Sequence, residues 1–525
     1  MSLRYMPPSG YQRGLKNVKQ VVIVGGGITG LAAAYRLQTG IEINMGAMSG
    51  RTSIAACSGH GTSSAPSDSE VAFSPTMPQI QITLVEQDTR LGGKIVTERV
   101  DGFIIEGAPD CFLSRKPHGI ALCEELGVTD RLQGRNPAQT NTYVMRNGQL
   151  HDLPQGLTGL VPTNLEALAN STLISAAGRA RLAQETELPA APDEGDESVA
   201  HFISRRLGKE VFEQLIEPLM GGIYSGDAAQ LSLAATFPQL RQLELKYGSL
   251  IKGLLAKQNG HASSSVNLAP AYPPFVAFRT GMAELIEILV ERLTQCTIIT
   301  GSAVESIRRT TEAVSTGYTL TLANGDSLHA DVLILTTPAF ITARLVAPWD
   351  KELAAAHNAI PYASTATVTL AYHESKLPAP LDGRGYVIPS VEASDVKACT
   401  WTSSKWLGRA PDGFALIRVY LGRYGKRDIL QDSDEELLQL AQAELKRTLN
   451  ITAPPDFTRI YRWPHAMPQY NLGHLERLAQ IETRLAHHPG FFLAGATYHG
   501  VGIPDCIRSA EQAAKATFDY LIECR

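Results

Sequence analysis

Three glycines near the start of the sequence have the spacing of a phosphate-binding turn. Gly25, Gly27 and Gly30 follow the apolar residues Val21 to Val24 in the segment VVIVGGGITGLAAAYRL. The pattern predicts a buried strand, a tight turn and a helix, in which Gly27 lets the backbone approach a pyrophosphate at the helix N-terminus. A glycine turn that only packs strand against helix is the alternative. The residues predicted to bind the dinucleotide are Gly25, Gly26, Gly27, Ile28, Thr29 and Gly30.

An acidic residue at the end of the second strand completes such a site by binding the ribose hydroxyls. The segment ITLVEQ supplies Glu86 followed by Gln87, but only after the stretch 39–79, which is rich in Ser, Gly, Ala and Thr. We predict that this stretch is a mostly disordered insertion. A solvated carboxylate at a strand end is the alternative for Glu86. Lys94 follows in a Gly-Gly loop, where a cation suits the phosphates.

Composition limits the classes of function. A chain of 525 residues can form two or three domains, and its net charge of −5 argues against a nucleic-acid partner. Seven cysteines without a C-x-x-C pair or metal-ligand spacing indicate reduced thiols and no metal site. The N-terminus has no apolar core of a secretory signal, and no apolar run reaches the length of a membrane span. We therefore expect a cytoplasmic protein that is soluble or peripherally attached to a membrane.

The C-terminal segment FFLAGATYHGVGIPDCIRSAEQAAKATFDYLIEC predicts a strand, a glycine-rich loop and a helix that begins at Pro504. The N-terminus of that helix would stabilise negative charge on a redox cofactor. A terminal helix docked on a sheet is the alternative. Because no second G-x-G-x-x-G is present, we expect one FAD and no nicotinamide domain. The predicted FAD ligands here are Gly495, Val501, Gly502 and Ile503.

The expected fold class is α/β, with a Rossmann-like FAD-binding domain, a mixed-sheet substrate domain and a mainly helical insertion. Gly221 to Ser232 is expected to form a loop, Leu255 to Pro274 an exposed loop, and Phe278 to Leu293 a helix. The predicted ranges are 18–115, 275–345 and 485–525 for the three parts of the FAD domain, 116–260 for the helical domain and 350–480 for the substrate domain.

Several sequence blocks resemble the protoporphyrinogen/coproporphyrinogen oxidase family of the amine oxidase superfamily along nearly the whole chain. They are GGGITGLAAAYRL, RLGGKIVT, EGAPDCFLSRKP, LIEPLMGGIYSGDAAQLS, TWTSSKW, RWPHAMPQY and GVGIPDCI. The resemblance implies that Trp463 lies close to the FAD and that the carbonyl of Gly226 faces the pyrrole N–H groups of a porphyrinogen. It further implies that Val304 touches the adenine. The segment passing under the flavin would be Glu106, Gly107, Ala108, Pro109 and Asp110.

The Ser-Arg-Lys-Pro segment and TWTSSKW are similar to the branch of Gram-positive-type bacteria, whose members oxidise coproporphyrinogen III. Coproporphyrinogen has four propionates and protoporphyrinogen two, so extra cations favour the former. We predict that Lys116, with Arg115 beside it, binds a propionate. A solvated Arg-Lys pair in a loop is the alternative.

The resemblance implies a six-electron oxidation in haem biosynthesis, by hydride transfer to FAD with oxygen as the acceptor. We name no catalytic general base, because the cofactor carries the chemistry. The alternatives are a protoporphyrinogen IX oxidase, another FAD amine oxidase or desaturase, and a non-enzymatic flavin or haem-precursor binding protein. A product hand-over to ferrochelatase, peripheral membrane contact and a homodimer stay open.

Overall fold

A computed structural model describes residues 18–49, 79–158, 161–169, 171–192, 195–263, 272–312 and 315–523. Its strands are β1 (Lys19–Val24), β2 (Ile80–Val85), β3 (Thr97–Val100), β4 (Phe103–Glu106), β5 (Phe112–Leu113), β6 (Leu132–Gly134), β7 (Tyr143–Arg146), β8 (Gln149–Asp152), β9 (Leu157–Thr158), β10 (Val161–Pro162), β11 (Phe275–Phe278), β12 (Cys296–Ile299), β13 (Val304–Glu312), β14 (Ser315–Leu322), β15 (Ser327–Ala330), β16 (Val332–Leu335), β17 (Tyr362–His373), β18 (Gly385–Val387), β19 (Val396–Trp401), β20 (Phe414–Leu421), β21 (Phe457–Pro468) and β22 (Phe491–Leu493).

The helices are α1 (Ile28–Ser49), α2 (Pro117–Leu126), α3 (Leu165–Ala169), α4 (Ala176–Ala183), α5 (Val199–Leu207), α6 (Lys209–Val211), α7 (Glu217–Tyr224), α8 (Leu233–Thr236), α9 (Pro238–Tyr247), α10 (Leu250–Ser263), α11 (Ala283–Arg292), α12 (Ala339–Val346), α13 (Lys351–Asn358), α14 (Thr402–Lys405), α15 (Asp434–Leu449), α16 (His474–Leu485) and α17 (Ile503–Glu523). A π-helical turn, Phe212–Ile216, joins α6 to α7.

A five-stranded parallel sheet in the order β12-β2-β1-β16-β22 collects segments from distant parts of the chain. Its central strand β1 is buried from Val21 to Val24, as a β-branched run between two covered faces requires. Helices α1, α11 and α17 pack into one apolar cluster with β1 and β16. The carboxyl ends of β1, β2, β16 and β22 therefore meet at one edge, where ligands bind in open α/β sheets.

A second sheet of seven strands has the order β21-β17-β20-β19-β18-β7-β8 and is antiparallel except where β18 pairs with β7. One face of it packs against α15 in a separate apolar cluster. Helix α15 begins with a capping box, in which the Ser433 hydroxyl accepts from the Glu436 N–H and the Glu436 carboxylate accepts from the Ser433 N–H.

Several expected element limits are wrong. Helix α1 continues to Ser49, so 39–49 of the expected disordered insertion is helical, while 50–78 lies outside the described residues. Gly221 belongs to helix α7, and the loop begins only at Ser225. Helix α10 reaches Ser263, and Phe278 ends strand β11 before α11 begins.

The range 116–260 is mainly helical, as expected, but it also contributes short strands. Strands β7 and β8 lie inside that range and form one end of the seven-stranded sheet. Short strands of this kind carry little periodicity of their own, and a sheet partner far along the chain stabilises them. The helices of the range, α5 and α7 among them, pack in a third apolar cluster. The predicted domain limits stay a prediction.

Candidate active site

The glycine-rich turn has the geometry that a pyrophosphate needs. Gly25 has φ +111°, and its N–H donates to the Val85 carbonyl over 2.8 Å. A Cβ on Gly30 would lie 1.9 Å from the Gly25 carbonyl oxygen, so only glycine lets helix α1 pack here. A Cβ on Gly27 would meet nothing within 4 Å. The backbone at Gly27 therefore borders open space at the N-terminus of α1, which fits the phosphates of a dinucleotide.

Glu86 lies at the carboxyl end of β2 and faces the turn. Its carboxylate accepts from the Gly26 N–H over 2.6 Å and from the Asp88 N–H over 2.9 Å. The Glu86 carbonyl accepts from the Ser302 N–H, which brings the start of β13 alongside. Val304 in β13 is buried among apolar residues, and Gln87 is exposed. Glu86 is therefore held where a ribose ligand of a Rossmann-like site stands.

The loop after β2 closes over the glycine turn. The Gly92 N–H donates to the Gly26 carbonyl over 2.8 Å. Arg90 donates to the Leu91 and Ile95 carbonyls, so its guanidinium braces the loop itself. Lys94 reaches solvent, yet the surrounding protein lowers its pKa by desolvation.

The C-terminal loop meets the glycine turn. The atoms nearest to a Cβ on Gly495 would be Thr29 Oγ1 and the Thr336 carbonyl oxygen, each at 3.7 Å. The Tyr470 hydroxyl donates to the Ala496 carbonyl over 2.6 Å and accepts from the Gly500 N–H over 2.7 Å, so it bridges the two sides of the loop. The two ends of the chain therefore come together, as a single clamped dinucleotide requires.

The same loop has further supports and leads into α17. His474 Nε2 donates to the Tyr498 carbonyl over 3.0 Å, and burial lowers the pKa of His474 to about 4, so the ring is neutral. The Gly502 N–H donates to the Asp505 carboxylate over 3.2 Å. Val501 is half-buried and Ile503 is buried at the first turn of α17. Sequence reasoning gave no role to Tyr470, although it ends the block RWPHAMPQY, and none to His474.

The segment after β4 is held by the seven-stranded sheet. The Gly107 carbonyl accepts from Trp463 Nε1 over 3.0 Å and from Thr367 Oγ1 over 3.1 Å. Arg418 donates to the carbonyls of Glu106 and Ala108 over 2.7 and 3.1 Å. These bonds give the backbone up to Pro109 a fixed course.

Asp110 ends this segment in a buried ionic cluster. It accepts from Lys405 Nζ over 2.7 Å and from Trp406 Nε1 over 3.2 Å, and Arg418 lies 3.4 Å away. Burial by itself would raise the pKa of Asp110, but Lys405 and Arg418 hold it far below its ordinary value. Asp110 therefore stays ionised and ties the segment to the TWTSSKW block.

Gly226 lies in a turn that several side chains hold. A Cβ on Gly226 would lie 2.3 Å from Gln469 Oε1, and Gln469 Nε2 donates to the Tyr224 carbonyl over 2.9 Å. Ser225 has φ +51°, and its hydroxyl accepts from Lys397 Nζ. Burial and, to a smaller extent, the charge of the nearby Arg423 together lower the pKa of Lys397 to about 7.

Lys116 already has an ionic partner. Its ammonium group pairs with the Asp505 carboxylate, which also accepts from the Gly502 N–H. Lys116 lines a cleft of about 130 Å³ together with Phe275, Gly502 and Ile503. Arg115 is exposed. The structure therefore places Lys116 beside the predicted flavin loop with its charge balanced by a carboxylate of the protein.

Within the described ranges no helix is long and apolar enough to cross a membrane, and no group of three or more His, Cys, Asp or Glu side chains could hold a metal ion.

Fold and site together define a flavin-dependent oxidoreductase. The chain belongs to the flavin containing amine oxidoreductase family, whose profile matches residues 28–517. The coproporphyrinogen III oxidase of Bacillus subtilis is 35% identical over 96% of this chain and 98% of its own, and that of Staphylococcus aureus is 32% identical over 95% and 98%.

Two further comparisons concern protoporphyrinogen oxidases. The chloroplastic protoporphyrinogen oxidase 1 of Arabidopsis thaliana is 28% identical over 94% of this chain and 87% of its own. A crystal structure from Exiguobacterium sp. 255-15, described as a candidate protoporphyrinogen oxidase, has a TM-score of 0.78 at 31% identity and covers 95% of this chain and 98% of that one. The predicted family resemblance, the α/β fold class, the enzyme class and the FAD cofactor are confirmed.

Proposed function

We propose that the protein is an FAD-dependent oxidase that converts coproporphyrinogen III to coproporphyrin III by a six-electron oxidation in haem biosynthesis, with oxygen as the electron acceptor. The observation that carries the proposal is that Thr29, at the start of α1, and Gly495, in the C-terminal loop, lie close together beside the open space at Gly27. Relatives that match nearly the full length of this chain are named coproporphyrinogen III oxidases. FAD, when bound, supplies the capacity to accept hydride from the macrocycle.

The residues of the chain bind the cofactor, orient the substrate and shield both from solvent. Gly27 and the N-terminus of α1 fit the pyrophosphate, and Glu86 fits the ribose. Tyr470 fixes the loop before α17, whose N-terminal N–H groups favour negative charge on the cofactor. Asp110 anchors the segment that the family resemblance places beneath the flavin. The protein thus holds a flat substrate in one orientation, which lowers the entropic part of the barrier.

Anaerobic mixing tests the proposal. Coproporphyrinogen III should bleach the flavin absorption at about 450 nm within one turnover, and air should restore it with formation of peroxide. An amine substrate or phytoene should leave the band unchanged. Flavin that stays oxidised in the presence of coproporphyrinogen III would exclude the oxidase. Equal rates with protoporphyrinogen IX would instead support the second candidate, which the similarity to the Arabidopsis enzyme favours.

We also propose a cytoplasmic location, since all five cysteines in the described part of the chain are free thiols, as in a reducing compartment. We further propose a hand-over of the product to ferrochelatase, peripheral membrane contact through 162–188 and a homodimer. Co-sedimentation with anionic vesicles and light scattering of the purified protein test the last two.

A further inference from the structure

Two arginines near the site have no acidic partner. The guanidinium of Arg135, just after β6, lies 4.5 Å from the ring centroid of Phe275. Arg384 precedes β18, and its Nε is buried without an acceptor. Within the described ranges neither guanidinium makes a hydrogen bond or an ion pair with another residue. Both side chains are half-buried, and a fully buried donor such as Arg384 Nε normally has a partner, which makes this pair a candidate for ligand binding.

The backbone holds both arginines in place. Asn136, the residue after Arg135, is fixed by two hydrogen bonds. Its N–H donates to the Lys405 carbonyl over 2.8 Å, and its side-chain amide donates to the Ser404 carbonyl over 3.0 Å. The N–H of Arg384 donates to the Asn141 carbonyl over 2.9 Å. The segment 136–141 therefore follows Arg135 at one end and bonds to Arg384 at the other. It also contacts the TWTSSKW block, which anchors Asp110.

The charges around the pair are not balanced by the protein. Burial lowers the pKa of Arg135, and repulsion from Arg384 lowers it further. Burial also lowers the pKa of Arg384. Asp110 is the carboxylate that acts on Arg135, but Lys405 and Arg418 already neutralise it. An anion between the two guanidiniums would remove the repulsion and satisfy the free donors.

The position of Arg135 connects the pair to the predicted flavin loop. Phe275, on which the Arg135 guanidinium lies, lines the cleft of about 130 Å³ together with Gly502 and Ile503. Lys116 lines the same cleft, but Asp505 balances its charge. An incoming carboxylate therefore gains more from the unpaired arginines than from Lys116.

We propose that Arg135 and Arg384 form a carboxylate-binding subsite that takes a propionate of the substrate. The guanidinium forks match a carboxylate in bidentate geometry, which a lysine does not. The proposal rests on the proposed function for the identity of the substrate. It makes the arginine pair a determinant of the preference for the tetracarboxylate coproporphyrinogen over the dicarboxylate protoporphyrinogen.

Equilibrium binding to the holoenzyme tests the subsite without turnover. The probes are coproporphyrin III and its tetramethyl ester, which has the same ring without the charges, and the readout is porphyrin fluorescence. We expect Arg135→Gln and Arg384→Gln each to weaken binding of the acid about tenfold and the double variant about 100-fold, the size of one and two lost charge-assisted bonds. Binding of the ester should stay within about twofold.

Arg308→Gln is the matched control, since Arg308 is exposed on β13. Arg135→Lys, which keeps the charge but loses the fork, should retain part of the affinity for the acid. Equal binding of acid and ester by the wild type, or unchanged binding of the acid by the double variant, would overturn the subsite. Failure of the wild type to oxidise coproporphyrinogen III would overturn the proposed function alone, because the binding experiment needs no catalysis.

Discussion

Replacing Gly27 by alanine should separate cofactor binding from folding. A Cβ at Gly27 meets no atom within 4 Å in the protein itself, whereas a Cβ at Gly30 would lie 1.9 Å from the Gly25 carbonyl oxygen. The two glycines lie three residues apart in one turn. The structure thus predicts opposite outcomes for the same chemical change.

The magnitudes follow from these distances. Without FAD, Gly27→Ala should change the free energy of unfolding by less than about 1 kcal/mol, with a gain expected because alanine restricts the unfolded chain. The methyl group would occupy the space of a phosphate and cost at least one charge-assisted hydrogen bond, about 1.5–3 kcal/mol. That loss weakens FAD binding about 10- to 150-fold. Gly30→Ala overpacks the helix against the turn and should destabilise the apoprotein by about 1–3 kcal/mol or more.

The assay compares apoprotein unfolding by circular dichroism with the FAD dissociation constant from flavin fluorescence. Gly222→Ala serves as control, since Gly222 is exposed on α7 and its Cβ would also meet no atom within 4 Å. This control should bind FAD normally. If Gly27→Ala bound FAD as tightly as the wild type, the open space at Gly27 would not be the pyrophosphate site, and the assignment of the turn would fail.

Three further predictions concern the groups around the cofactor segment. Tyr470→Phe removes a buried hydroxyl that both donates and accepts, so FAD affinity should fall about tenfold, and an unchanged dissociation constant would contradict the bridging role. Lys397→Met should raise the free energy of unfolding by about 2–4 kcal/mol at pH 7 and below. Between pH 7 and about 10 the lysine is neutral in the folded protein but protonated in the unfolded chain, so the wild type becomes more stable as the pH rises. The difference in Tm between variant and wild type should therefore vanish near pH 10. Asp110→Asn leaves Lys405 without its counter-ion and should lower the free energy of unfolding by about 3–5 kcal/mol, whereas a loss below 1 kcal/mol would refute the ionic anchor.

Local patterns predicted the parts of the site that depend on neighbours in sequence. The turn at Gly25, the strand end at Glu86 and the C-terminal helix all follow from glycine spacing, a β-branched run or a proline at the first turn. That helix starts at Ile503, one residue before the predicted Pro504. The family resemblance implied a place near the FAD for Trp463, but the bond from its indole N–H to the Gly107 carbonyl was not predicted. Structural features that depend on neighbouring residues, or that a family shares, could be predicted from the sequence.

The roles of the charged side chains could not be assigned in this way, because the tertiary structure decides which charges pair. Lys116 was predicted to bind a propionate, yet Asp505, far along the chain, already pairs with it. Arg135 and Arg384 stand in no motif, and only the fold shows that these two half-buried arginines have no carboxylate partner among the described residues. A cation becomes a candidate for ligand binding only when the fold leaves it unpaired. For this reason the preference for four carboxylates over two should depend on Arg135 and Arg384 more strongly than on Lys116: Lys116→Ala should cost less coproporphyrin III affinity than Arg135→Gln, and the reverse order would return the propionate site to Lys116.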